Sequence, residues 1–293
     1  MLLSVIICTR NRADEVTACL HGLAAQSRDF GDVEVIVVDN GSTDDTRAVV
    51  EELGRRLGYE FGYVYEAEPG LCGARNRGRA SARGEILAYL DDDVLLGEGW
   101  VERVREHFLA GRSDCLGGKV TAELEAELPF AMDDSMRWFF QATNLGEKAR
   151  RLEFPEHPIG CNMAFRAVVF DAVGGFDVNL KLYGDETDFF RRASEAGFLI
   201  WYDPAASLSQ KIPAERLTVE ELKSKSYKWG QGAATVWMLA SGGAGRLPKI
   251  SEYVLRTAYV RAGSVIRSSF GRFYTYWYNR GYLAQLIKGL AEK

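Results

Sequence analysis

The apolar residues of the first part of the chain form short runs that alternate with helix-like segments. Residues 2–8 (LLSVIIC) and 33–38 (VEVIVV) are nearly continuous apolar runs, and each precedes polar residues and a helical pattern. A third run lies near residues 62–66, and a fourth, EILAYL, covers residues 85–90. Strands that alternate with helices in this way are typical of a parallel sheet that is covered on both faces.

The segments between the runs predict helices and turns. Residues 13–26 have helical spacing, and the turn segment NGSTDDT offers Ser42 or Thr43 as the N-cap of the next helix, with Asp44 and Asp45 in its first turn. The Gly-rich stretch after the third run is predicted to be helical in its middle. Because ligands bind outside the carboxyl ends of strands in open α/β sheets, residues at those ends are the candidates for chemistry.

The pattern changes near residue 216. From there the chain shows helical patterns with little strand signal, and the segment GGAGRLP at 242–248 is the best candidate for an internal linker. The sequence therefore predicts an α/β fold with a Rossmann-like, doubly wound and mostly parallel sheet over residues 1–215. Residues 216–293 are predicted to form a helical C-terminal extension.

The composition is typical of a folded protein with a large core, without a membrane-spanning helix or disulfides. At 293 residues and 47% hydrophobic, the chain can bury a large core. No apolar run reaches the roughly 18 residues that a membrane-spanning helix needs, and the N-terminus does not resemble a secretory signal, so we expect a cytoplasmic location. The five cysteines lack CxxC spacing, so reduced thiols are expected rather than disulfides or a zinc site.

The charge is unevenly distributed. Residues 1–210 hold 22 basic and 36 acidic residues (net −14), whereas residues 211–293 hold 14 and 5 (net +9). The acidic part argues against nucleic-acid binding. The basic tail is expected either to dock on the acidic part or to contact an anionic surface.

Three carboxylates follow the fourth apolar run. Asp91, Asp92 and Asp93 repel one another, and a buried charge is costly unless a partner compensates it. If the strand continues through them, Asp91 and Asp93 point to one side and Asp92 to the other. Two carboxylates on one side suit Mg²⁺ or Mn²⁺. The alternative is a solvated acidic turn that binds nothing.

Other strand ends and loops carry candidates of their own. Asp39 follows the second run, where it can accept a hydrogen bond from N3–H of a uracil-like base or simply form a turn. Arg75 and Asn76 lie in the segment GARNRG, where they can bind a nucleotide or diphosphate, although Arg75 taken alone is more typical of a surface residue. Asp185, Glu186 and Asp188 in YGDETDFF stabilise the start of a helix, and such a carboxylate is also a competent general base.

Four segments, taken in order, resemble the family 2 glycosyltransferases, which are inverting nucleotide-sugar enzymes with a GT-A fold. The segments, which span about residues 2–213, are SVIICTRNR, VEVIVVDNGSTDDT, PGLCGARNRGRASARGEILAYLDDDV and GCNMAFRAVVFDAVGGFDVNLKLYGDETDFFRRASEAGF. The resemblance implies a catalytic domain at 1–215, with a nucleotide-sugar half at about 1–95 and an acceptor half at about 96–215.

The resemblance also implies a role for each site residue. The residues expected to bind the donor are Thr9, Arg10, Asp39, Arg75, Asn76, Asp91 and Asp92. Asp93 and Asp91 are expected to bind Mn²⁺ or Mg²⁺, which stabilises the leaving diphosphate. Glu186 takes the position of the base, with Asp185 as the alternative, because the order of acids in GDETD is exchanged relative to the family's Gly-Glu-Asp. Asn162 and Asp188 are expected on the acceptor side.

Two positions depart from the family pattern. Arg10 stands where relatives often have a tyrosine that stacks on the base, although a guanidinium plane also stacks. Gln210 stands where many relatives have a metal-binding histidine. Because an amide oxygen is a weaker ligand, we expect looser metal binding.

The expected function is inverting transfer of a sugar from a nucleotide sugar, with UDP-sugar favoured, to a hydroxyl of a saccharide, lipid-linked or small-molecule acceptor. Basic and aromatic residues mix in residues 249–293, which indicates peripheral contact with an anionic membrane or packing on the catalytic domain. Two alternatives remain. One is a catalytically silent relative that binds nucleotide sugars, which Gln210 favours, and the other is a nucleotidyltransferase, for which CTRNRADE lacks the usual Gly-rich loop.

Overall fold

The computed structural model divides the chain into two compact units. It describes residues 2–26, 31–56, 58–131, 138–140, 142–143, 145–181, 183–242, 244–262 and 270–291. The first unit comprises Met1–Glu123, Gln141–Val178 and Asp188–Lys211, and the second comprises Leu124–Phe140, Asn179–Thr187 and Ile212–Lys293.

The first unit contains the predicted parallel strands. They are β1 (Leu3–Thr9), β2 (Val33–Asp39), β3 (Glu60–Tyr65) and β4 (Ile86–Asp91), and they lie side by side in the order β3-β2-β1-β4. Every residue of β2 is buried, because helices cover both faces of the sheet at this position. In the register of the strands, Thr9 pairs with Asp39, and Cys8 pairs with Asp91. The carboxyl ends of β1, β2 and β4 therefore meet at one edge.

Four helices connect these strands or follow them. They are α1 (Ala13–Ala25), α2 (Thr46–Gly54), α3 (Leu71–Ser81) and α4 (Trp100–Leu109). The predicted N-cap of α2 is wrong, because the helix begins at Thr46 rather than after Ser42 or Thr43. Asn11 instead engages both residues: its N–H donates to Ser42 Oγ at 2.9 Å, and its side-chain oxygen accepts from the Thr43 N–H at 2.7 Å. These bonds tie the loop after β1 to the loop after β2.

Antiparallel strands extend the sheet beyond β4. Within the described residues the strand order continues as β4-β8-β6-β9-β5, and β7 pairs with β9. The additional elements are β5 (Val94–Leu96), β6 (Cys115–Leu124), β7 (Arg150–Leu152), β8 (Asn162–Arg166), α5 (Ala167–Val173), α6 (Asp185–Glu195) and β9 (Ile200–Ile212). The α/β class is confirmed, and the sheet joins a parallel part to an antiparallel one.

The second unit is largely helical, as predicted. Its elements include a short 3₁₀ helix (Ala214–Leu217), α7 (Val219–Ser241), α8 (Arg246–Ala262) and α9 (Phe270–Ala291). Thr218 caps α7 by accepting the Glu221 N–H, and α7 ends at Gly242, whose φ of 58° favours glycine. The predicted linker at 242–248 therefore contains the end of one helix and the start of the next; Gly243 lies outside the described residues. In the described part of the chain, no helix is long and apolar enough to cross a membrane.

Candidate active site

The polar residues at the carboxyl edge of the parallel strands are held by loop-to-loop hydrogen bonds. Asn40 follows β2, and its side-chain amide donates to the carbonyl of Glu68 at 2.7 Å while its oxygen accepts the Gly70 N–H at 2.8 Å. Together with the Asn11 bonds, this contact fixes the loops after β1, β2 and β3 relative to one another. The edge is thus organised by the protein itself, in the place where α/β sheets bind ligands.

Asp39 is buried at this edge, with only 1% of the residue exposed. Its Oδ1 accepts the Ser42 N–H, and its Oδ2 accepts the Tyr63 hydroxyl, both at 2.8 Å. Burial and the bond to Asp39 raise the pKa of Tyr63, so the hydroxyl remains a donor. A carboxylate has about four lone-pair sites, so Asp39 retains the capacity to accept a further N–H.

Arg75 lies against the end of β4. The arginine is 4% exposed, and one terminal nitrogen is 3.4 Å from Asp91 Oδ1 and 3.1 Å from the carbonyl oxygen of Gly160. Its guanidinium also lies over the ring of Phe176, with 5.5 Å between the guanidinium carbon and the ring centroid. A guanidinium held in this way is a fixed positive charge at the end of the strand.

The acidic turn differs from the predicted alternation. Strand β4 ends at Asp91, and Asp92 and Asp93 form a turn, so side chains do not alternate through all three residues. Arg12 contacts both turn carboxylates: one terminal nitrogen pairs with Asp92 Oδ1, and the other is 2.8 Å from Asp93 Oδ2. The positive partner that three adjacent carboxylates require is therefore present in the chain itself.

The charges in this turn strongly influence one another. Burial raises the pKa of Asp92 to about 7, although the Arg12 charge opposes this shift; the charges of Asp93 and Asp91 add to it. Burial also opposes the charge on Arg12, but Asp92 and Asp93 outweigh it and raise the pKa of Arg12 further above its ordinary value. Arg12 is therefore a permanent cation beside the acidic turn.

Gln210 reaches the same turn from β9. The residue pairs with Val94 across the antiparallel strands, is 2% exposed, and donates through Nε2 to Asp93 Oδ1 at 2.5 Å. Its Oε1 is buried and has no hydrogen-bond partner in the described part of the chain. A buried oxygen without a partner is costly, and it is a ligand type that hard cations accept.

The donor set fits a divalent cation that shares its coordination with a substrate. Asp91 and Asp93 would provide carboxylate oxygens, and Gln210, which here turns its nitrogen toward Asp93, could provide its amide oxygen. Among the described residues, no group of three or more His, Cys, Asp or Glu side chains is arranged to hold a metal alone. Mg²⁺ is commonly bound by one or two carboxylates plus substrate phosphates, and this chemistry matches the residues present.

Three of the predicted site residues have intramolecular partners that favour structural roles. The Asn76 amide exchanges two 2.8 Å bonds with the backbone of Phe176. Asn162 accepts from Trp100 Nε1 at 3.0 Å and donates to the Ala206 carbonyl at 2.8 Å. Asp188 is 2% exposed, and Arg191 and Arg192 each donate to one of its oxygens. Their predicted donor and acceptor roles stay predictions.

Thr9 and Arg10 occupy the end of β1. Thr9 is buried opposite Asp39, whereas Arg10 is exposed on the loop that follows. The stacking of the Arg10 guanidinium on a base stays a prediction.

Asp185 and Glu186 belong to the second unit, in the first turn of α6. Asp185 is buried at 7% exposure, whereas Glu186 is partly exposed. The partial exposure favours Glu186 over Asp185 as the carboxylate that can meet an acceptor hydroxyl.

Two residues of the edge were not selected from the sequence. Arg12 lies in the segment TRNR but is 80 residues from Asp92, so no local spacing joins them. Tyr63 lies in the third apolar run, where an aromatic residue is typical of the strand itself. The need for a positive charge beside Asp91–Asp93 was the one signal that pointed toward Arg12.

Glycosyltransferases are among both the proteins of similar sequence and the solved structures of similar fold. Glycosyltransferase AglE of Haloferax volcanii is 28% identical over 237 residues, which cover 80% of this chain and 74% of that protein. Among solved structures, the mannosyltransferase PcManGT from Pyrobaculum calidifontis in complex with GDP-Man and Mn²⁺ matches with a TM-score of 0.62 at 16% identity, covering 99% of this chain and 87% of that one. S. aureus TarS 1-349 in complex with UDP-GlcNAc matches with a TM-score of 0.58 at 15% identity, covering 100% and 92%.

The structural matches establish the fold, and the sequence matches establish the family. The solved structures are GT-A glycosyltransferases, so the predicted GT-A fold is confirmed. The model of the family described as "Glycosyl transferase family 2" matches residues 4–174, which is more than half of the chain and contains Asp39, Arg75 and Asp91–Asp93. The chain therefore belongs to glycosyltransferase family 2.

Proposed function

We propose that this glycosyltransferase moves a sugar from a nucleoside diphosphate sugar, with a UDP-sugar favoured, to a hydroxyl group with inversion at the anomeric carbon, and that it requires Mn²⁺ or Mg²⁺. The observation that carries the proposal is that three carboxylates lie at one edge of the parallel strands, together with the Arg75 guanidinium beside one of them. The carboxylates are Asp39, Asp91 and Asp93, and Arg75 lies beside Asp91. This edge offers an acceptor for a base N–H, a fixed guanidinium and two cation-binding carboxylates.

The residues of the first unit bind and orient the donor. Asp39 accepts the N3–H of the base, because its oxygens are oriented by Ser42 and Tyr63 and still have lone pairs available. The Arg75 guanidinium provides charge-assisted hydrogen bonds to the donor beside Asp91. Asp93 and Asp91 would hold a divalent cation, which would supply Lewis-acid stabilisation to the leaving diphosphate.

Glu186 is the proposed general base. It would remove the proton from the acceptor hydroxyl as that oxygen attacks the anomeric carbon from the face opposite the diphosphate. The assignment rests on the GDETD motif and on the partial exposure of Glu186 beside the buried Asp185. A general base of this type contributes about 10²–10⁴ in rate.

The acceptor is proposed to be a saccharide, lipid-linked or small-molecule hydroxyl. A pyrimidine nucleotide is favoured because Asp39 can accept the N3–H of its base, which UDP- and dTDP-sugars both offer. UDP and GDP both occur in the structural matches, since TarS was solved with UDP-GlcNAc and PcManGT with GDP-Man.

A donor screen tests the proposal. Purified protein with Mn²⁺ is incubated with UDP-, dTDP- and GDP-sugars, and the released nucleotide is measured for the wild type, for Glu186→Gln and for Asp93→Asn. We expect release from a UDP-sugar that both substitutions reduce by about a hundredfold or more. A nucleotidyltransferase would instead release no nucleoside diphosphate from these donors, and would release pyrophosphate when it is given a nucleoside triphosphate and a sugar phosphate. Nucleotide binding without release beyond background would indicate a silent relative.

A matched control separates Glu186 from general damage to the unit. Glu221 is an exposed acid in the first turn of α7 in the same unit, so Glu221→Gln makes the same chemical change at another helix start. We expect Glu221→Gln to retain activity close to that of the wild type. Equal losses in the two variants would remove Glu186 as the base.

A further inference from the structure

Arg12 occupies the position that a cation would be expected to take beside the acidic turn. Its two terminal nitrogens contact Asp92 Oδ1 and Asp93 Oδ2, so one guanidinium bridges both carboxylates. Its side chain is 26% exposed, whereas those of Asp92 and Asp93 are 4% and 10% exposed. The guanidinium thus covers the carboxylates from the solvent side.

Asp93 is held by two donors at once. Arg12 donates to Oδ2 at 2.8 Å, and Gln210 donates through Nε2 to Oδ1 at 2.5 Å. Both carboxylate oxygens therefore already have hydrogen bonds from the protein before any cation binds. Gln210 also presents a buried Oε1 that has no partner in the described residues, which is the oxygen a cation would use.

We propose that Arg12 is a positioning residue that acts as the resting counter-ion of the acidic turn. Because of this charge a free divalent cation binds weakly, and it becomes tightly bound only together with the diphosphate of the donor. This inference rests on the proposed function. Arg12 and Arg75 already offset much of the charge of Asp91–Asp93, so a cation that arrives alone meets reduced attraction and repulsion from Arg12. A nucleoside diphosphate sugar adds two negative phosphate charges, which restore the attraction.

Gln210 has a complementary part in this proposal. In the resting state its amide nitrogen holds Asp93 in place. If Asp93 held a cation, rotation of the Gln210 amide would turn Oε1 toward Asp93 in place of the nitrogen, and this oxygen would gain a partner. A histidine at this position would offer only one ring nitrogen in this direction and could not exchange donor for acceptor in this way.

Titration of Mn²⁺ followed by electron paramagnetic resonance tests the proposal without measuring turnover. Free Mn²⁺ is measured for the wild type, Arg12→Gln and Arg12→Lys, with no nucleotide and with saturating UDP or GDP. For the wild type we expect at least tenfold tighter Mn²⁺ binding with nucleotide. For Arg12→Gln we expect Mn²⁺ alone to bind about tenfold more tightly than to the wild type, and the gain from nucleotide to shrink by a similar factor.

The charge-conserving variant is the matched control. Arg12→Lys retains the positive charge but cannot bridge the two carboxylates with a planar fork, so we expect Mn²⁺ affinity without nucleotide to stay within about threefold of the wild type. Thermal unfolding of each variant checks that it is folded. If Arg12→Gln does not fold, the wild type and Arg12→Lys still test the coupling, and equal Mn²⁺ affinities with and without nucleotide would overturn it.

The outcomes separate this inference from the proposed function. Unchanged or weaker Mn²⁺ binding by folded Arg12→Gln, together with nucleotide-dependent binding by the wild type, overturns the role of Arg12 and leaves the proposed donor intact. Tighter Mn²⁺ binding by Arg12→Gln, with no nucleotide effect in any variant, would leave Arg12 as a counter-ion but overturn its coupling to the diphosphate, and it would contradict the proposed donor.

Discussion

At the scale of single residues, the acidic turn shows how position changes the role of identical side chains. Asp91 ends a strand and lies near Arg75, whereas Asp92 and Asp93 share Arg12 in a turn. Asp92 is the more deeply buried of this pair, which suits a carboxylate that stabilises the turn. Asp93 also reaches Gln210, which suits a carboxylate that meets the cation.

The first prediction compares two isosteric variants of this turn. Asp93→Asn is expected to reduce activity by about a hundredfold, because it removes a carboxylate that binds the cation. Asp92→Asn is expected to retain activity within about tenfold, because it removes a buried charge while an amide oxygen can still accept from Arg12. Nucleotide release with saturating Mn²⁺ measures both. Equal losses in two folded variants would contradict the division of roles.

The second prediction concerns His107, a buried residue away from the strand edge. Its Nε2 is 2.8 Å from Ser113 Oγ, and Ser113 donates its own hydroxyl hydrogen to the Cys115 carbonyl, so Nε2 carries the proton of a neutral ring. Burial lowers the pKa of His107 to about 4 from 6.5. Between pH 4 and pH 6.5 the unfolded chain binds a proton at His107 that the folded chain does not bind. The contribution of the neutral, buried His107 to the free energy of unfolding is therefore complete above about pH 6.5 and is lost as the pH falls toward 4.

Urea unfolding from pH 7 to pH 4.5 checks this sign. The stability difference between the wild type and His107→Gln should shrink as the pH falls, because only the wild type has this buried imidazole to protonate. A difference that stays constant across the range would show that His107 titrates alike in the folded and unfolded chain.

The residue-scale chemistry was only partly predictable. Asp39, Asp91 and Asp93 were found because strand ends are visible in the pattern of apolar runs. Arg12 was not selected, and the hydrogen bond from Gln210 to Asp93 was not predicted, because these two residues reach Asp93 from 81 and 117 residues away in sequence. Long-range pairing of this kind depends on the sheet register, which single-sequence periodicity does not specify.

At the scale of elements, the parallel strands and their helices were predicted within a few residues. The strands predicted at 2–8 and 33–38 are observed at Leu3–Thr9 and Val33–Asp39, and the helix predicted at 13–26 is observed at Ala13–Ala25. The start of α2 was missed because Ser42 and Thr43, although good capping residues, are used by Asn11. The antiparallel strands lack the continuous apolar runs that made β1, β2 and β4 visible.

The third prediction concerns the packing of α7 against α9. A Cβ added to Gly281 would lie 1.8 Å from the Tyr227 carbonyl oxygen, and one added to Gly230 would lie 2.0 Å from that of Tyr278. Gly281→Ala should therefore destabilise the protein by about 2 kcal/mol or more, although alanine favours helices. Gly289→Ala is the control, because its nearest neighbour, Met238 Sδ at 3.1 Å, is the end of a flexible side chain.

Chemical unfolding of both variants measures the difference. We expect Gly289→Ala to be neutral or slightly stabilising. Stability of Gly281→Ala equal to that of the wild type would show that the two helices tolerate separation at this point.

At the scale of the whole molecule, the chain combines an α/β unit with a helical unit, and the basic tail belongs to the latter. Several of its aromatic residues are buried within that unit, including the stacked pair Tyr253 and Tyr282 with ring centroids 3.8 Å apart. Other apolar residues are exposed, notably Leu247 at 67% and Leu255 at 70% on α8. Residues 263–269 and 292–293 of the predicted membrane-contact segment 249–293 lie outside the described residues.

The fourth prediction is that α8 contributes to peripheral membrane contact. Exposed leucines beside basic residues suit the surface of an anionic bilayer. Replacing Leu247 and Leu255 by glutamine should reduce co-sedimentation with phosphatidylglycerol-containing vesicles by about tenfold, because less apolar surface would be buried in the bilayer. Leu109→Gln, at a leucine that is 65% exposed on α4, is the matched control. Absence of vesicle binding by the wild type at low salt would contradict membrane contact.

The most direct test of the central claim is a calorimetric titration of the wild-type protein with UDP, in the presence of Mn²⁺ and again with EDTA. The claim is that the edge formed by Asp39, Arg75, Asp91 and Asp93 binds a nucleoside diphosphate together with a divalent cation. We predict saturable UDP binding with Mn²⁺ that is at least tenfold weaker with EDTA. UDP binding that is equally tight without the cation, or no binding of UDP or GDP under either condition, would contradict it.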